Sequence, residues 1–326
     1  MLQAKVIDKG RGQIMATLAT SLFPQSRSTV TQNILDAIGN TPLVEVDGIY
    51  CKCEFLNPSG SIKARIAHYI IARAEREGLL RPGDTIIEAS SGNTGNALAM
   101  VAAVKGYKMQ VVMPNGMSSA RVAISKAHGA EVILTGDFHV NEALAIAEEY
   151  GRKPGYFCPR QFANEWNVEE NRRWLGDELL RQLPAEARPD ALVCGIGTGG
   201  TLIGLGQALR ARNPDCQVIG LEPAESCTIA CAEIGHHQIE GIADGFVPEI
   251  ISNHRNEVDG LVSVSSDAAI DEMRRLASEH GLLVGPSSGA HLVAAKRIRK
   301  SNPALKTIVT LFCDEGEKYL AEYYNA

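Results

Sequence analysis

Thr85-Ile86-Ile87-Glu88 is a short β-branched run; Ser90-Ser91-Gly92-Asn93-Thr94-Gly95 follows it, and helical spacing then extends from Thr94 to Val104. The same alternation continues outward. Lys108-Met109-Gln110-Val111-Val112-Met113 reads as the next strand, Ser119 to His128 as a helix, and Glu131-Val132-Ile133-Leu134 as another strand. A second series begins at Ala191-Leu192-Val193-Cys194, passes through a helix from Thr201 to Arg212, and returns to strand at Gln217-Val218-Ile219-Gly220-Leu221. Thr307-Ile308-Val309-Thr310-Leu311-Phe312 is the last strand. Strands with nearly unbroken apolar runs, alternating with helices, belong to mostly parallel twisted sheets covered on both faces. The expected fold class is α/β. The polar and aromatic stretch from Tyr150 to Arg188 separates the two series and points to two domains.

The 326 residues suffice for two such domains, and 45% hydrophobic content supplies a core. A net charge of −6 with both signs dispersed, and only 5% aromatic residues, argues against a nucleic-acid surface. No apolar run is long enough to span a bilayer. The first thirty residues lack the apolar segment of a secretory signal and read as a frayed extension, or as preceding an alternative start at Met15. The eight cysteines are scattered, with Cys194 and Cys313 in or beside buried strands, a pattern that fits free thiols in a reducing cytoplasm. Cys51 and Cys53 would share one strand face. Cys227-x3-Cys231 with His236-His237 matches no structural zinc spacing, so no metal site is expected.

Ligands of α/β sheets sit beyond the carboxyl ends of strands. Three loops there carry chemistry. Ser90-Ser91-Gly92-Asn93-Thr94-Gly95 offers hydroxyls, an amide and glycines at a helix N-terminus, an anion cradle richer than one cap requires. Gly195-Ile196-Gly197-Thr198-Gly199-Gly200-Thr201 lets backbone approach a phosphate. It also fits a dinucleotide fingerprint with Glu222 as ribose acid. Thr198 and Thr201 suit a terminal phosphate monoester better than a pyrophosphate. Gly285-Pro286-Ser287-Ser288-Gly289 leads into a helix from Ala290 to Arg299, with serine as an ordinary cap. The fourth feature is Lys63, in Asn57-Pro58-Ser59-Gly60-Ser61-Ile62-Lys63, at a helix start. A lone lysine there is ordinarily a solvated side chain. With partners, its amine forms a Schiff base with an aldehyde.

Together these segments resemble the cysteine synthase and cystathionine β-synthase family of pyridoxal-phosphate enzymes (fold type II, tryptophan-synthase β-like). The likeness runs from Ile38-Gly39-Asn40-Thr41-Pro42-Leu43 to about Leu320. It implies a cofactor cleft between two domains: a larger one from 31–60 and 165–326, and a smaller mobile one from 61–164, after a flexible extension over 1–30. It implies that Lys63 holds pyridoxal 5'-phosphate and moves the α-proton. Asn93 would bond the cofactor's ring oxygen, and Gly197, Thr198, Gly199, Gly200 and Thr201 would wrap its phosphate. Ser287 would face the pyridine nitrogen. Ser90, Ser91, Gly92, Asn93, Thr94 and Gln161 would bind the substrate, with Gly241 and Ala243 in the closing loop.

A neutral serine at the ring nitrogen makes a weaker electron sink than aspartate and suits β-elimination. The implied reaction is β-replacement on a β-substituted L-serine through an aminoacrylate. Its leading form is cysteine synthase, O-acetyl-L-serine and sulfide giving L-cysteine and acetate. The alternatives are O-phosphoserine or serine as donor, and homocysteine or an amino-acid amine as nucleophile. An O-phosphoserine donor would need a cation such as Arg65, Arg121 or Arg160. Dehydratases carry Gly-Asn-His where this chain has Gly92-Asn93-Thr94. The resemblance also implies a homodimer, and admits a partner enzyme's C-terminal tail in the cleft. A regulatory member without turnover and a NAD-binding oxidoreductase stand as rivals. Two departures mark the chain: Ala243 replaces a usual glycine, and Cys313-Asp314-Glu315-Gly316 is more acidic than usual.

Overall fold

The computed structural model describes residues 30–116, 119–137 and 140–324, so the expected extension lies almost wholly outside the described residues. In chain order the elements are β1 (Leu43–Val46), β2 (Ile49–Cys53), α1 (Lys63–Arg76), β3 (Thr85–Ala89), α2 (Asn93–Lys105), β4 (Lys108–Asn115), α3 (Ser119–Ala127), β5 (Glu131–Asp137), α4 (Val140–Gly151) and β6 (Tyr156–Phe157). There follow α5 (Glu165–Glu170), α6 (Gly176–Gln182), β7 (Ala191–Gly195), α7 (Gly200–Arg212), β8 (Gln217–Pro223), α8 (Glu249–Asn253), β9 (Gly260–Val264), α9 (Ser266–His280), α10 (Pro286–Ser301) and β10 (Ile308–Phe312).

Two sheets form, one of six strands in the order β1-β2-β10-β7-β8-β9 and one of four in the order β5-β4-β3-β6. Among the described residues, every pairing between these strands is parallel except β1 with β2. That exception has a local cause. Asp47 and Gly48 both take positive φ, +51° and +75°, and close a two-residue hairpin of the kind Asp-Gly favours.

Strand order reverses once in each sheet. From β3 the chain proceeds to β4 on one side, while β6 returns on the other. From β7 it proceeds to β8, while β10 returns on the other side. Such switch points leave crevices beyond the strands' carboxyl ends. The Ser90 loop and Gln161 follow β3 and β6; the glycine loop and Cys313-Asp314 follow β7 and β10. Both crevices therefore receive the residues that the sequence singles out.

The helix expected from Ala290 begins at Pro286, with Gly285 as N-cap and no side-chain cap bond. Proline's fixed φ suits the first helical position. Ser287 thus lies inside the first turn rather than capping it. The Tyr150–Arg188 stretch is not a plain separator: it contributes β6 to the smaller sheet and holds α5 and α6.

Candidate active site

Lys63 is the first residue of α1, and tertiary contacts fix that helix start. The Ile62 N–H donates to the Cys313 carbonyl at 2.8 Å, and the Lys63 N–H to Ser61 Oγ at 3.3 Å. Arg65, about 200° further round the helix, turns into the protein. It is fully buried and donates to Glu54 (2.6 and 2.9 Å) and Glu178 (3.1 and 2.9 Å). Lys52 Nζ reaches the same Glu178 at 2.5 Å, while Cys51 and Cys53 on the other face of β2 enter the apolar core. Burial opposes ionisation of both glutamates, but the Arg65 and Lys52 charges outweigh it; Glu54 falls below the usual range and Glu178 falls to about 2. Arg65 is therefore an anchor for α1, not a substrate cation. Arg160 is half exposed and paired with Glu148, also away from the cavity. Of the three arginines, Arg121 alone lines it.

Two adjoining cavities meet at Lys63. One is lined by Ser90, Ser91, Gly92, Asn93, Thr94 and Gln161 together with Gly197, Thr198 and Gly241. The other adds Gly199, Thr201 and Ser287, with His291, Cys313 and Asp314. Gly200 lines neither; a Cβ there would collide with the Asn167 amide. A Cβ on Gly197 would lie 2.5 Å from the Gly241 carbonyl. Glycine at these two places is what lets the loop sit between the Gly241 segment and α5. Ala243 lies outside both cavities, in an adjoining outer chamber.

The Ser90–Gly95 loop is pre-arranged by its own bonds. Ser90 Oγ accepts the N–H groups of Gly92 (3.1 Å) and Gly95 (3.0 Å). Thr94 Oγ1 donates to Gln161 Oε1 at 2.6 Å, and Gln161 Nε2 donates to the Ala89 carbonyl at 2.8 Å. Glu88 lies behind them, fully buried, accepting the N–H groups of Gln161 (3.1 Å) and Ala89 (3.0 Å). Burial pushes its carboxyl up to about 8 despite those bonds. Asn93 is already committed: its amide donates to Asp314 Oδ2 at 2.9 Å and accepts from Lys318 Nζ at 3.1 Å. Tyr319 donates to the same carboxylate oxygen at 2.7 Å.

Two residues that the sequence reading missed hold the site together. Asn167 Nδ2 donates to both the Gln161 carbonyl (3.0 Å) and Thr198 Oγ1 (2.9 Å), joining the residue that holds Thr94 to the glycine loop. No local signal announces it. His291 Nε2 accepts the Gly195 N–H at 2.6 Å, and its Nδ1 lies 2.7 Å from the Leu311 carbonyl. Those partners assign the proton to Nδ1, and burial keeps the ring neutral with a pKa of about 4. The spacing Ser287–His291, one helical turn, was a legible hint.

Two further expectations are corrected. Glu222 is buried and its oxygens accept the Ile229 (2.7 Å) and Ala230 (3.0 Å) N–H groups, leaving no ribose partner for a dinucleotide. Cys227 and Cys231 form a disulfide, Cα–Cα 5.3 Å, not free thiols. The hydrogen bonds of Glu222 cap the turn that this pair closes.

The donor set fits pyridoxal phosphate. A lysine amine, a glycine-rich helix start and a serine at the first turn of α10 open on one cavity, suited to an aldehyde, a phosphate monoester and a ring nitrogen. Residues 34–314 match the family model described as "Pyridoxal-phosphate dependent enzyme". The chain belongs to this family. It is 41% identical over 298 residues to a cysteine synthase of Staphylococcus aureus (strain N315), covering 89% of this chain and 95% of that one. It is 40% identical over 299 residues to O-ureido-L-serine synthase of Streptomyces lavendulae, covering 89% and 91%. Among solved structures, the O-acetylserine dependent cystathionine beta-synthase from Helicobacter pylori superposes with a TM-score of 0.86 at 34% identity, over 92% of this chain and all of that one. As a pyridoxal-phosphate enzyme of fold type II, the chain leaves no room for the oxidoreductase reading.

Proposed function

We propose that this enzyme catalyses β-replacement on a β-substituted L-serine, foremost O-acetyl-L-serine with sulfide, giving L-cysteine and acetate. The observation that carries the reading is the convergence on Lys63 of the Ser90–Thr94 loop with Gln161 and of the Gly197–Thr201 loop with Ser287. The S. aureus relative, named as a cysteine synthase, supports this choice of reaction.

When bound, the cofactor supplies an electron sink that stabilises charge at the substrate's α-carbon. The protein supplies the rest. Lys63 Nζ would hold the cofactor, and its amine is the group placed to move the proton at the substrate's Cα. Ser91, Thr94 and Gln161 orient the substrate carboxylate from a loop already locked by Ser90 and Glu88. The N–H groups of the first turn of α7 and the hydroxyls of Thr198 and Thr201 would hold the phosphate. Ser287 would meet the ring nitrogen with a neutral hydroxyl, and His291, neutral and hydrogen-bonded at both ring nitrogens, holds the start of the glycine loop. Arg121 is ion-paired with Glu240, so a dianionic phosphate leaving group finds little net positive charge here; a neutral acetyl ester fits better.

We propose further that the smaller sheet and its helices, within 61–164, move against the remainder, that the enzyme is a homodimer, and that it works in the cytoplasm. Among the described residues no helix is long and apolar enough to cross a membrane.

The test is direct. Borohydride should fix the cofactor to the peptide carrying Lys63, and Lys63→Ala should lose both this adduct and acetate release from O-acetyl-L-serine. A Lys63→Ala protein that still turns over ends the reading.

A further inference from the structure

The acidic segment Cys313-Asp314-Glu315-Gly316 runs into a short helical turn, Gly316–Tyr319, and lies along the loop that leads to Lys63. The Glu315 N–H donates to the Gly60 carbonyl at 3.0 Å, and Lys318 Nζ donates to the Gly60 (3.3 Å) and Ser59 (3.4 Å) carbonyls. Two glycines make space for its acids. A Cβ on Gly60 would collide with the Glu315 carboxylate, and a Cβ on Gly285 with Asp314 Oδ1.

Both charged groups that reach Asn93 are buried: the Lys318 side chain is 3% exposed and Asp314 is 1% exposed. The partners of Asp314 are neutral. Asn93 and Tyr319 donate to Oδ2, while the buried Oδ1 has no hydrogen-bond partner. A carboxylate taken out of water without a full set of partners is costly. Its presence calls for a use.

The two charges decide how the Asn93 amide is turned. Oxygen and nitrogen of an amide are nearly alike in shape, so the group can occupy its place in either of two orientations. An ammonium only donates and a carboxylate only accepts. Lys318 therefore takes Oδ1 (3.1 Å) and Asp314 takes Nδ2 (2.9 Å). In the flipped amide, donor would face donor and oxygen would face carboxylate. Nδ2 keeps a second hydrogen that has no acceptor among the described residues, and Asn93 lines both cavities that meet at Lys63.

We propose that Lys318 and Asp314 are positioning residues that lock the Asn93 amide with Nδ2 toward the cofactor's ring oxygen. The proposal rests on the cofactor placement given above and adds what keeps that donor pointing at the ring. Because Lys318 also holds Ser59 and Gly60, the lock ties Asn93 to the loop that carries Lys63.

The test titrates the full chain, stripped of cofactor, with 4'-deoxypyridoxine 5'-phosphate, which keeps the ring oxygen but has no aldehyde to react with Lys63. Fluorescence should show binding about tenfold weaker in Lys318→Met, the loss expected of one hydrogen bond, with a similar loss in Asp314→Ala. Asp314→Asn keeps an acceptor for Nδ2 and should bind as the native chain does. In an Asn93→Ala background, Lys318→Met should cost nothing further, since it acts only through that amide. In the holoenzyme, Lys318→Met should move the cofactor's visible band in the same direction as Asn93→Ala does. Native-like affinity in Lys318→Met overturns the lock. So does an equal loss in the Asn93→Ala background, which would make Lys318 a structural residue only. A native chain that does not bind the analogue at all sinks the cofactor placement itself, a result seen before any variant is compared.

Discussion

At Ala243, as at Ala232, chemistry and conformation disagree. Ala243 holds φ +53°, between Gly241 at +89° and Gly245 at +86°. An L-residue there costs about 1–2 kcal/mol relative to glycine, partly offset by glycine's greater freedom in the unfolded chain. Two bonds maintain it: its N–H donates to the Ile196 carbonyl at 2.9 Å, and its own carbonyl faces His237. Ala243→Gly should therefore raise stability by about 0.5–1 kcal/mol, read as a shift in the urea midpoint at constant m-value. A fall in the midpoint would mean the methyl packs more usefully than its backbone angle suggests. That alanine departs from a usual glycine is what the resemblance implies; that the backbone here is left-handed is visible only in the folded structure.

At the scale of elements, the first turn of α1 and the junction at α5 matter most. Arg65 holds α1 through two buried carboxylates, and removing one partner of such a cluster strands the others. Arg65→Ala should lose about 3–5 kcal/mol, measured by urea unfolding of the apoprotein; a loss under about 1 kcal/mol would show that water relaxes the site. Asn167 acts between elements, from α5 to Gln161 and Thr198. Asn167→Ala leaves a buried carbonyl and hydroxyl short of a donor, a cost of about 1–3 kcal/mol. It should also raise the donor's KM and weaken cofactor affinity together, since one amide serves both loops. Cofactor titration by fluorescence beside steady-state kinetics checks this, and an effect on only one of the two would break the proposed link.

Across the whole molecule, buried glutamates shape the response to pH from opposite sides. Glu178 has a folded pKa of about 2, below its ordinary value, so the stability it contributes is present above the ordinary carboxylate range and is lost as pH falls toward 2. Glu88 and Glu170 are pushed up to about 8 by burial, and both Glu170 oxygens lack hydrogen-bond partners. Their contribution is full below the ordinary carboxylate range and is lost as pH rises to about 8. The melting temperature should thus peak on the acid side of neutrality, near pH 5 by the ordinary carboxylate values. Glu170→Gln should flatten the alkaline limb, worth on the order of a few kcal/mol, while changing little at pH 5. An alkaline limb equally steep in Glu170→Gln would show that another group titrates.

The α/β class and the alternating strands of both series were readable because parallel strands buried on both faces must be apolar throughout, as in Ile86-Ile87 and Leu192-Val193. The site loops were readable as well, since glycines and hydroxyls at strand-to-helix turns are local signals. What the sequence could not carry was which distant loops meet. The insertion of β10 between β2 and β7 brings Asp314 to Asn93, and the fold of residues 160–167 brings Gln161 to Thr94 and Asn167 to Thr198. The same limit misassigned Arg65, whose neighbours Glu54 and Glu178 lie 11 and 113 residues away. Lys63, the Ser90 loop and the glycine loop were determined by residue type and local spacing. Their joining into one cavity, and the pairing that set Arg65 and Glu222 aside, were decided by tertiary contacts, because hydrogen-bond partners far apart in sequence are fixed only when the sheets close.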